Sequence, residues 1–164
     1  MHLTMIHAEN LSKRYAEKIA VDDLSFTVEQ GTVLGFIGPN GAGKTTTMRM
    51  LCGVMPPSSG SIVIDSINMI EEPVKAKALV GYLPENAPLY SNMSVMAFLE
   101  YCGMMRNIPS KKLRDAVCTA MERCSLESVK NDELESLSKG YRRRVCLAQA
   151  IIHNPRALVL DEPT

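Results

Sequence analysis

The sequence has no excess of charge of either sign, because 18 lysines and arginines are balanced by 18 aspartates and glutamates. Proteins that capture nucleic acid or anionic lipid through charge carry a surplus of basic residues, so we expect no nucleic-acid partner. No apolar run approaches the roughly 18 residues of a membrane-spanning helix, and the first nine residues lack the apolar core of a signal peptide. These absences predict a cytoplasmic location.

Cysteines are few and scattered. The five of them stand at positions 52, 102, 118, 124 and 146, and no two have the C-x-x-C spacing. An odd number of cysteines without such spacing argues against a disulfide framework and against a cysteine metal site. We therefore expect reduced thiols.

The length of 164 residues suits one domain. The first third of the sequence has apolar patterns that are typical of strands. Leu24–Val28 alternates with period two, and Thr32–Ile37 is an apolar run typical of a strand buried on both faces of a parallel sheet. A helix is predicted over residues 44–52, and further short strands are predicted over residues 61–65, 80–83 and 157–160.

Residues 93–153 change to helical spacing of apolar side chains. Ser94 and Ser110 are the expected N-caps of two helices, and a third helix is predicted over residues 139–152. The whole pattern favours an α/β fold in which residues 1–164 form a single domain, with a helical insertion at about 89–135.

A glycine-rich segment, Gly38 to Thr45, matches G-x-x-x-x-G-K-[ST] between a predicted strand and a predicted helix. Glycines let the backbone wrap around a phosphate, and the start of the following helix adds partial positive charge. Lys44 can reach the β- and γ-phosphates, and the Thr45 hydroxyl can bind Mg²⁺. The plain alternative is a glycine-rich turn. The residues that we expect to bind the nucleotide here are Gly38, Pro39, Asn40, Gly41, Ala42, Gly43, Lys44, Thr45 and Thr46.

An apolar strand over residues 157–160 runs into Asp161 and Glu162. A carboxylate at the end of a buried strand can hold magnesium, usually through water, which is the role expected for Asp161. Glu162 lies one residue further on and can polarise an attacking water. Alone, this pattern would indicate only a solvated acidic turn, but the phosphate loop in the same chain favours the functional interpretation.

These two motifs and the segment Leu137-Ser138-Lys139-Gly140-Tyr141 together resemble the ATP-binding cassette (ABC) transporter ATPases, whose signature is L-S-G-G-Q. The resemblance covers the whole chain and implies a P-loop NTPase fold. Such a fold has a mostly parallel sheet core, an N-terminal antiparallel β segment and a helical signature subdomain. Lys139, Tyr141 and the segment 82–90 resemble the multidrug and gliding-motility-type exporter branch.

The resemblance also implies roles for individual residues. Tyr15 would stack on adenine, and the less favoured alternative is an edge-strand tyrosine. Ser138 and Gly140 would close over the ATP held by a second cassette. Glu85 stands where most members carry Gln, on a loop that contacts magnesium and the membrane partner. Lys44 and Glu162 would be the catalytic residues.

Two further expectations come from the signature segment and from the end of the sequence. The run Arg142-Arg143-Arg144 is expected to form a solvated or interface face. The sequence stops after the acidic motif, where family members continue to a strand that carries a switch histidine. We expect the 164 residues alone to be a C-terminally truncated fragment with marginal stability and little or no ATPase activity.

Three functional hypotheses follow. The first is an ATP-binding exporter subunit that hydrolyses MgATP at a dimer interface. It would drive a separate integral membrane permease from the cytoplasmic face of the membrane. The second is a soluble cassette ATPase that acts on ribosomes or DNA, against which the neutral charge weighs. The third is a truncated, non-catalytic nucleotide-binding fragment.

Overall fold

The computed structural model describes residues 3–162, and the chain divides between Val80 and Gly81 into two compact units. The N-terminal unit is the part up to Val80, and the C-terminal unit is the part from Gly81 onward. Pro163 and Thr164, the last residues of the acidic motif, lie outside the described residues, as do Met1 and His2.

The N-terminal unit is built on an antiparallel sheet with the strand order β2-β1-β3-β4. Its elements are β1 (Thr4–Tyr15), β2 (Lys18–Glu29), α1 (Lys44–Leu51), β3 (Ser59–Ile64), β4 (Ile67–Asn68) and α2 (Pro73–Ala78). The strand predicted over Leu24–Val28 is confirmed as part of β2. The helix predicted over residues 44–52 is confirmed as α1, and Gly53 follows it with a φ of 63°.

Apolar side chains of the two central strands form the core of this sheet. Ala8 and Leu11 of β1 and Ile62 and Ile64 of β3 are fully buried. Burial of an aliphatic side chain contributes about 1.5–3 kcal/mol. Ala8 pairs with Ile62 and shares a face of the sheet with Ile62 and Ile64, so a register shift by one residue would turn these three side chains to the other face.

The prediction of a strand over Thr32–Ile37 is wrong. The segment forms no strand within the described residues, and the side chains of Val33 and Ile37 are 98% and 99% exposed. Phe36 does pack edge-on against Phe26 of β2, with ring centroids 5.3 Å apart. An apolar run becomes a strand only where a neighbouring strand supplies partners for its backbone groups, and none does so within residues 3–162.

The C-terminal unit combines a two-stranded sheet with a group of helices. Its elements are β5 (Val80–Leu83), α3 (Val95–Met105), α4 (Ser110–Arg123), α5 (Lys139–Ile151) and β6 (Ala157–Leu160), with 3₁₀ turns at Glu127–Val129 and Leu134–Ser136. Strands β5 and β6 pair with each other. The strands predicted over residues 80–83 and 157–160 and the third helix are confirmed.

Serine side chains start two of the three long helices. Ser94 caps α3 by accepting a hydrogen bond from the Ala97 amide, and Ser138 caps α5 in the same way. Ser110 does not cap α4, contrary to expectation, because Pro109 occupies the cap position and Ser110 is the first helical residue. Proline fixes φ near −65° and so sets the chain direction without a side-chain bond.

The three helices share one hydrophobic core. Val95 and Leu99 of α3, Val117 of α4 and Val145 of α5 are almost completely buried in it. The predicted helical spacing of apolar residues is therefore confirmed. Since α5 contributes to the same core as α3 and α4, its packing helps to fix the start of α5. No helix within residues 3–162 is long and apolar enough to cross a membrane.

Candidate functional site

The glycine-rich loop leads directly into helix α1. Gly43 is the N-cap of α1, with a φ of 87° and no side-chain cap bond, and Gly41 has a φ of 82°. Only glycine adopts this left-handed conformation at little cost. The first amides of α1 thus have no side-chain acceptor from their cap residue. They lie at the positive end of the helix, which favours a nearby anion.

The loop lies close against strand β2. A Cβ atom on Gly43 would collide with the carbonyl oxygen of Ala20 and would lie 3.0 Å from Cγ2 of Val21. Thr47, one turn into α1, is buried and donates its hydroxyl to the Gly43 carbonyl at 3.0 Å. These contacts hold the loop in place before any ligand binds.

Lys44 folds back over the loop that precedes it. Its ammonium group donates hydrogen bonds to the carbonyl oxygens of Gly38 at 2.7 Å and Pro39 at 2.9 Å. Both acceptors are neutral, so these bonds orient the ammonium without cancelling its charge. Thr45 and Thr46 follow at the start of α1, where both are half-buried. The arrangement presents a lysine charge and helix amides together, as a phosphate group requires.

Tyr15 lies at the end of β1 with 45% of its surface exposed. Its hydroxyl donates to the sulfur of Met55 at 3.1 Å, and the ammonium of Lys13 lies 5.5 Å from its ring centroid. An exposed aromatic ring beside a positive charge can stack on a base that carries phosphates.

The acidic pair follows strand β6. Asp161 is only 3% exposed, whereas Glu162 is exposed and has a φ of 50°. The Asp161 amide donates to the carbonyl of Leu83 at 2.9 Å, which joins the ends of β6 and β5. The left-handed conformation of Glu162 turns the chain away from the extended line of β6.

Arg143 is the residue that the sequence analysis missed. One guanidinium nitrogen, Nη1, donates to the carbonyls of Pro84 at 2.9 Å and Glu85 at 3.0 Å. The other, Nη2, donates to the carbonyls of Asp161 at 2.9 Å and Glu162. The predicted solvated face is therefore wrong for Arg143. A guanidinium group offers a planar fork of donors that lysine lacks.

The neighbouring arginines behave as expected, because Arg142 and Arg144 are exposed and Arg144 lies over the ring of Tyr141. No pattern in the sequence could have separated Arg143 from them, since its acceptors are backbone carbonyls that every residue carries. The only available signal is position, because Arg143 and the buried Cys146 are three residues apart and share one face of α5.

The signature segment forms the exposed start of α5. Ser138 accepts a hydrogen bond from the Tyr141 amide at 3.3 Å, and both Ser138 and Gly140 are exposed. A Cβ on Gly140 would meet nothing closer than the Ser138 hydroxyl, at 3.9 Å. The segment therefore presents a helix N-terminus on an uncrowded surface, to which another molecule can have access.

The three residues expected to bind magnesium all carry oxygen donors. In the N-terminal unit Thr45 offers a hydroxyl, and in the C-terminal unit Glu85 and Asp161 offer carboxylates; each is a hard oxygen group of the kind that Mg²⁺ prefers. Among residues 3–162, no three or more His, Cys, Asp or Glu side chains are grouped in a way that could hold a metal ion.

Comparisons with known proteins agree on one family. The family model described as "ABC transporter" matches residues 21–164. The ABC transporter ATP-binding protein YhcH of Bacillus subtilis is 38% identical over 162 residues, which are 98% of this chain and 52% of that protein. The lipopolysaccharide export protein LptB of Escherichia coli is 37% identical over 164 residues, covering 98% of this chain and 68% of LptB.

The linearmycin resistance ATP-binding protein LnrL of Bacillus subtilis is 34% identical, with 98% of this chain and 51% of that protein covered. The chain thus spans about half the length of YhcH and LnrL.

Solved structures show the same fold. The structure of cbiO1 from Clostridium perfringens, titled as part of the ABC transporter complex cbiONQ, matches with a TM-score of 0.85. It is 27% identical, and the match covers 98% of this chain and 66% of that chain. The predicted fold class is therefore confirmed, with its antiparallel β segment and its helices. The chain belongs to the ABC transporter family of ATP-binding proteins.

Proposed function

We propose that this chain is the nucleotide-binding part of an exporter's ATP-binding subunit, which hydrolyses MgATP to drive a separate membrane permease. Two relatives carry names that concern export or resistance, namely the lipopolysaccharide export protein LptB and the linearmycin resistance protein LnrL. Within this proposal, residues 1–164 are one cassette domain with a helical subdomain at about 89–135, at the cytoplasmic face of the membrane.

The phosphate loop binds the nucleotide in this proposal. The amides of residues 38–46 and the Lys44 ammonium hold the phosphates, and Tyr15 stacks on the adenine. Thr45, Asp161 and Glu85 are the proposed ligands of Mg²⁺. When bound, Mg²⁺ neutralises charge on the phosphates.

Hydrolysis depends on Glu162 in this proposal. Its carboxylate is exposed at the end of β6, where it can accept a proton from an attacking water. Lys44 stabilises the negative charge that develops on the transferred phosphoryl group. The observed left-handed backbone of Glu162 sets the direction in which the carboxylate leaves the strand.

A second cassette completes each site. Ser138 and Gly140 lie at an exposed helix start, which suits contact with phosphates held by the partner rather than by this chain. A related cassette, MJ0796, has a structure described as dimeric; it is 24% identical and has a TM-score of 0.85.

One observation carries the proposal: the Lys44 ammonium lies on the carbonyls of the loop, where a phosphate can reach it. The test is a calorimetric titration of the full-length protein with MgATP. Lys44→Ala should weaken binding by at least about tenfold, because a charge-assisted contact is lost. Lys112→Ala, on an exposed face of α4, is the matched control and should bind normally. Equal binding by the Lys44 variant would refute the proposal.

A further inference from the structure

The side chain of Arg143 joins two segments that are distant in the sequence. Pro84 is 59 residues away from it, and Asp161 is 18 residues away. The first segment is the loop that follows β5, and the second is the acidic pair that follows β6. Each of the two terminal nitrogens, Nη1 and Nη2, donates to two consecutive carbonyls of one segment. The two segments therefore share one rigid planar group.

Helix α5 provides a fixed base for this side chain. One turn after Arg143, Cys146 is buried, and together with Ala150 it packs against Leu83 at the end of β5. The stem of Arg143 therefore leaves α5 at a point that cannot shift relative to β5 without disturbing this packing. A guanidinium group placed in this way determines where the four carbonyls must lie.

The contact with the acidic pair coincides with unusual backbone geometry. Glu162 has a φ of 50°, a left-handed conformation that is unfavourable for a residue with a side chain. Its carbonyl and that of Asp161 both accept from Nη2 of Arg143. Bonds to a charged donor are stronger than neutral ones and offset this cost. Arg143 therefore binds the backbone carbonyls on both sides of the Cα atom that carries the Glu162 carboxylate.

We propose that Arg143 is a positioning residue that couples the loop of Pro84 and Glu85 to the acidic pair Asp161 and Glu162. A displacement of the loop is transmitted to the backbone of Glu162 through the guanidinium plane. The inference concerns the placement of both segments, and it rests on the proposed function only where Glu162 is assigned to hydrolysis. Arg143 itself need not touch the nucleotide.

The first test does not depend on activity. In the full-length protein, Arg143→Met removes the donors and keeps much of the side-chain volume. Amide hydrogen exchange should then become about tenfold faster in peptides covering both residues 84–90 and residues 160–162, because both lose their anchor. Arg114→Met, on the exposed face of α4, is the matched control and should change neither segment. Faster exchange in only one segment, or in neither, would overturn the coupling.

Arg143→Lys keeps the positive charge but removes the planar fork of donors. It is also the alternative variant if Arg143→Met does not fold. An ammonium group lacks the planar fork, so we expect partial protection of one segment and exchange near that of the methionine variant in the other. Protection of both segments at the level of the unmodified protein would show that a positive charge suffices, which contradicts the role of the planar fork.

The second test measures ATP hydrolysis. Arg143→Met should displace Glu162 and lower kcat by about 10–100-fold. The KM for ATP should stay within about twofold, because the phosphate loop is not changed. In the Glu162→Gln background, Arg143→Met should cause no further loss, since both changes act through the same carboxylate. Independent, multiplicative losses would overturn the positioning role. If the unmodified protein hydrolysed no ATP, the proposed function would fail, whereas the exchange experiment would still decide on the coupling.

Discussion

Gly43 lies so close to the backbone of Ala20 that a methyl group on Gly43 would overlap the Ala20 carbonyl oxygen. The same glycine has a φ of 87°, which disfavours any residue with a side chain. Gly43→Ala should therefore lower the free energy of unfolding by about 2–4 kcal/mol, from backbone strain and a steric collision together. Chemical denaturation without nucleotide measures this loss separately from any effect on binding.

Gly41→Ala is the matched control for that substitution. Gly41 has a similar φ of 82°, but a Cβ there would meet no atom within 4 Å. Gly41→Ala should therefore lower the free energy of unfolding only by the cost of the backbone strain, about 1–2 kcal/mol. Equal losses for the two variants would show that the approach to Ala20 has no energetic consequence.

The N-caps of the C-terminal unit give a second prediction. Ser94→Ala removes the acceptor of the Ala97 amide at the start of α3 and should cost about 1 kcal/mol. Ser110→Ala is the control, because Ser110 is inside the first turn of α4 and makes no cap bond. Thermal unfolding should show a lower midpoint only for the Ser94 variant. A comparable decrease for Ser110→Ala would contradict the assignment of Pro109 as the cap.

Local patterns in the sequence predicted the local features of the molecule. The phosphate loop was found because glycines, lysine and threonine at fixed spacing are required by one backbone conformation. The cap at Ser94 and the helices were found because capping and 3.6-residue periodicity act over a few positions. The cap of α4 was misplaced by one residue, since Pro109 and Ser110 are both common at helix starts. Helix α2 was missed because six residues carry too little periodicity.

Non-local features could not be predicted in this way. The exposed run Thr32–Ile37 has the composition of a buried strand, but a strand depends on neighbours that composition does not encode. The role of Arg143 depends on carbonyls that are 18 and 59 residues away. Both cases depend on tertiary contacts. The assignments of individual site residues and of the helical subdomain stay predictions.

Two buried glycines of the C-terminal unit should respond differently to alanine. At Gly81 in β5, a Cβ would collide with the backbone carbonyl of Ala150 and lie 2.9 Å from both Leu158 and Pro155. Because the backbone of Ala150 cannot move without disturbing α5, Gly81→Ala should lower the free energy of unfolding by about 2–3 kcal/mol.

At Gly103 in α3, by contrast, the close atom is the end of the Leu113 side chain, which can change its rotamer. The gain in helix propensity, about 1 kcal/mol, should offset most of the cost of Gly103→Ala. Urea denaturation of the two variants compares them directly. A more damaging substitution at Gly103 than at Gly81 would mean that Leu113 is held as rigidly as the backbone.

The thiols should differ in reactivity according to their burial. Cys118 is exposed on α4, whereas burial raises the pKa of Cys102 to about 11 and also raises the pKa values of Cys124 and Cys146. The thiolate is the reactive form. At pH 7.5, a pKa of about 11 leaves roughly 0.03% of Cys102 ionised. Alkylation of the native protein should therefore modify Cys118 at least about tenfold faster than Cys102.

Peptide mass spectrometry after brief treatment with iodoacetamide identifies the modified residue. Cys118→Ser should remove the fast phase and leave the slow ones unchanged, while unfolding in guanidinium should make all five cysteines reactive. Raising the pH from 7.5 toward 9.5 should accelerate Cys102 about tenfold per pH unit, since its thiolate fraction rises in proportion while the pH stays below its pKa. Rapid modification of Cys102 at pH 7.5 would show that this part of α3 opens to solvent in the native protein.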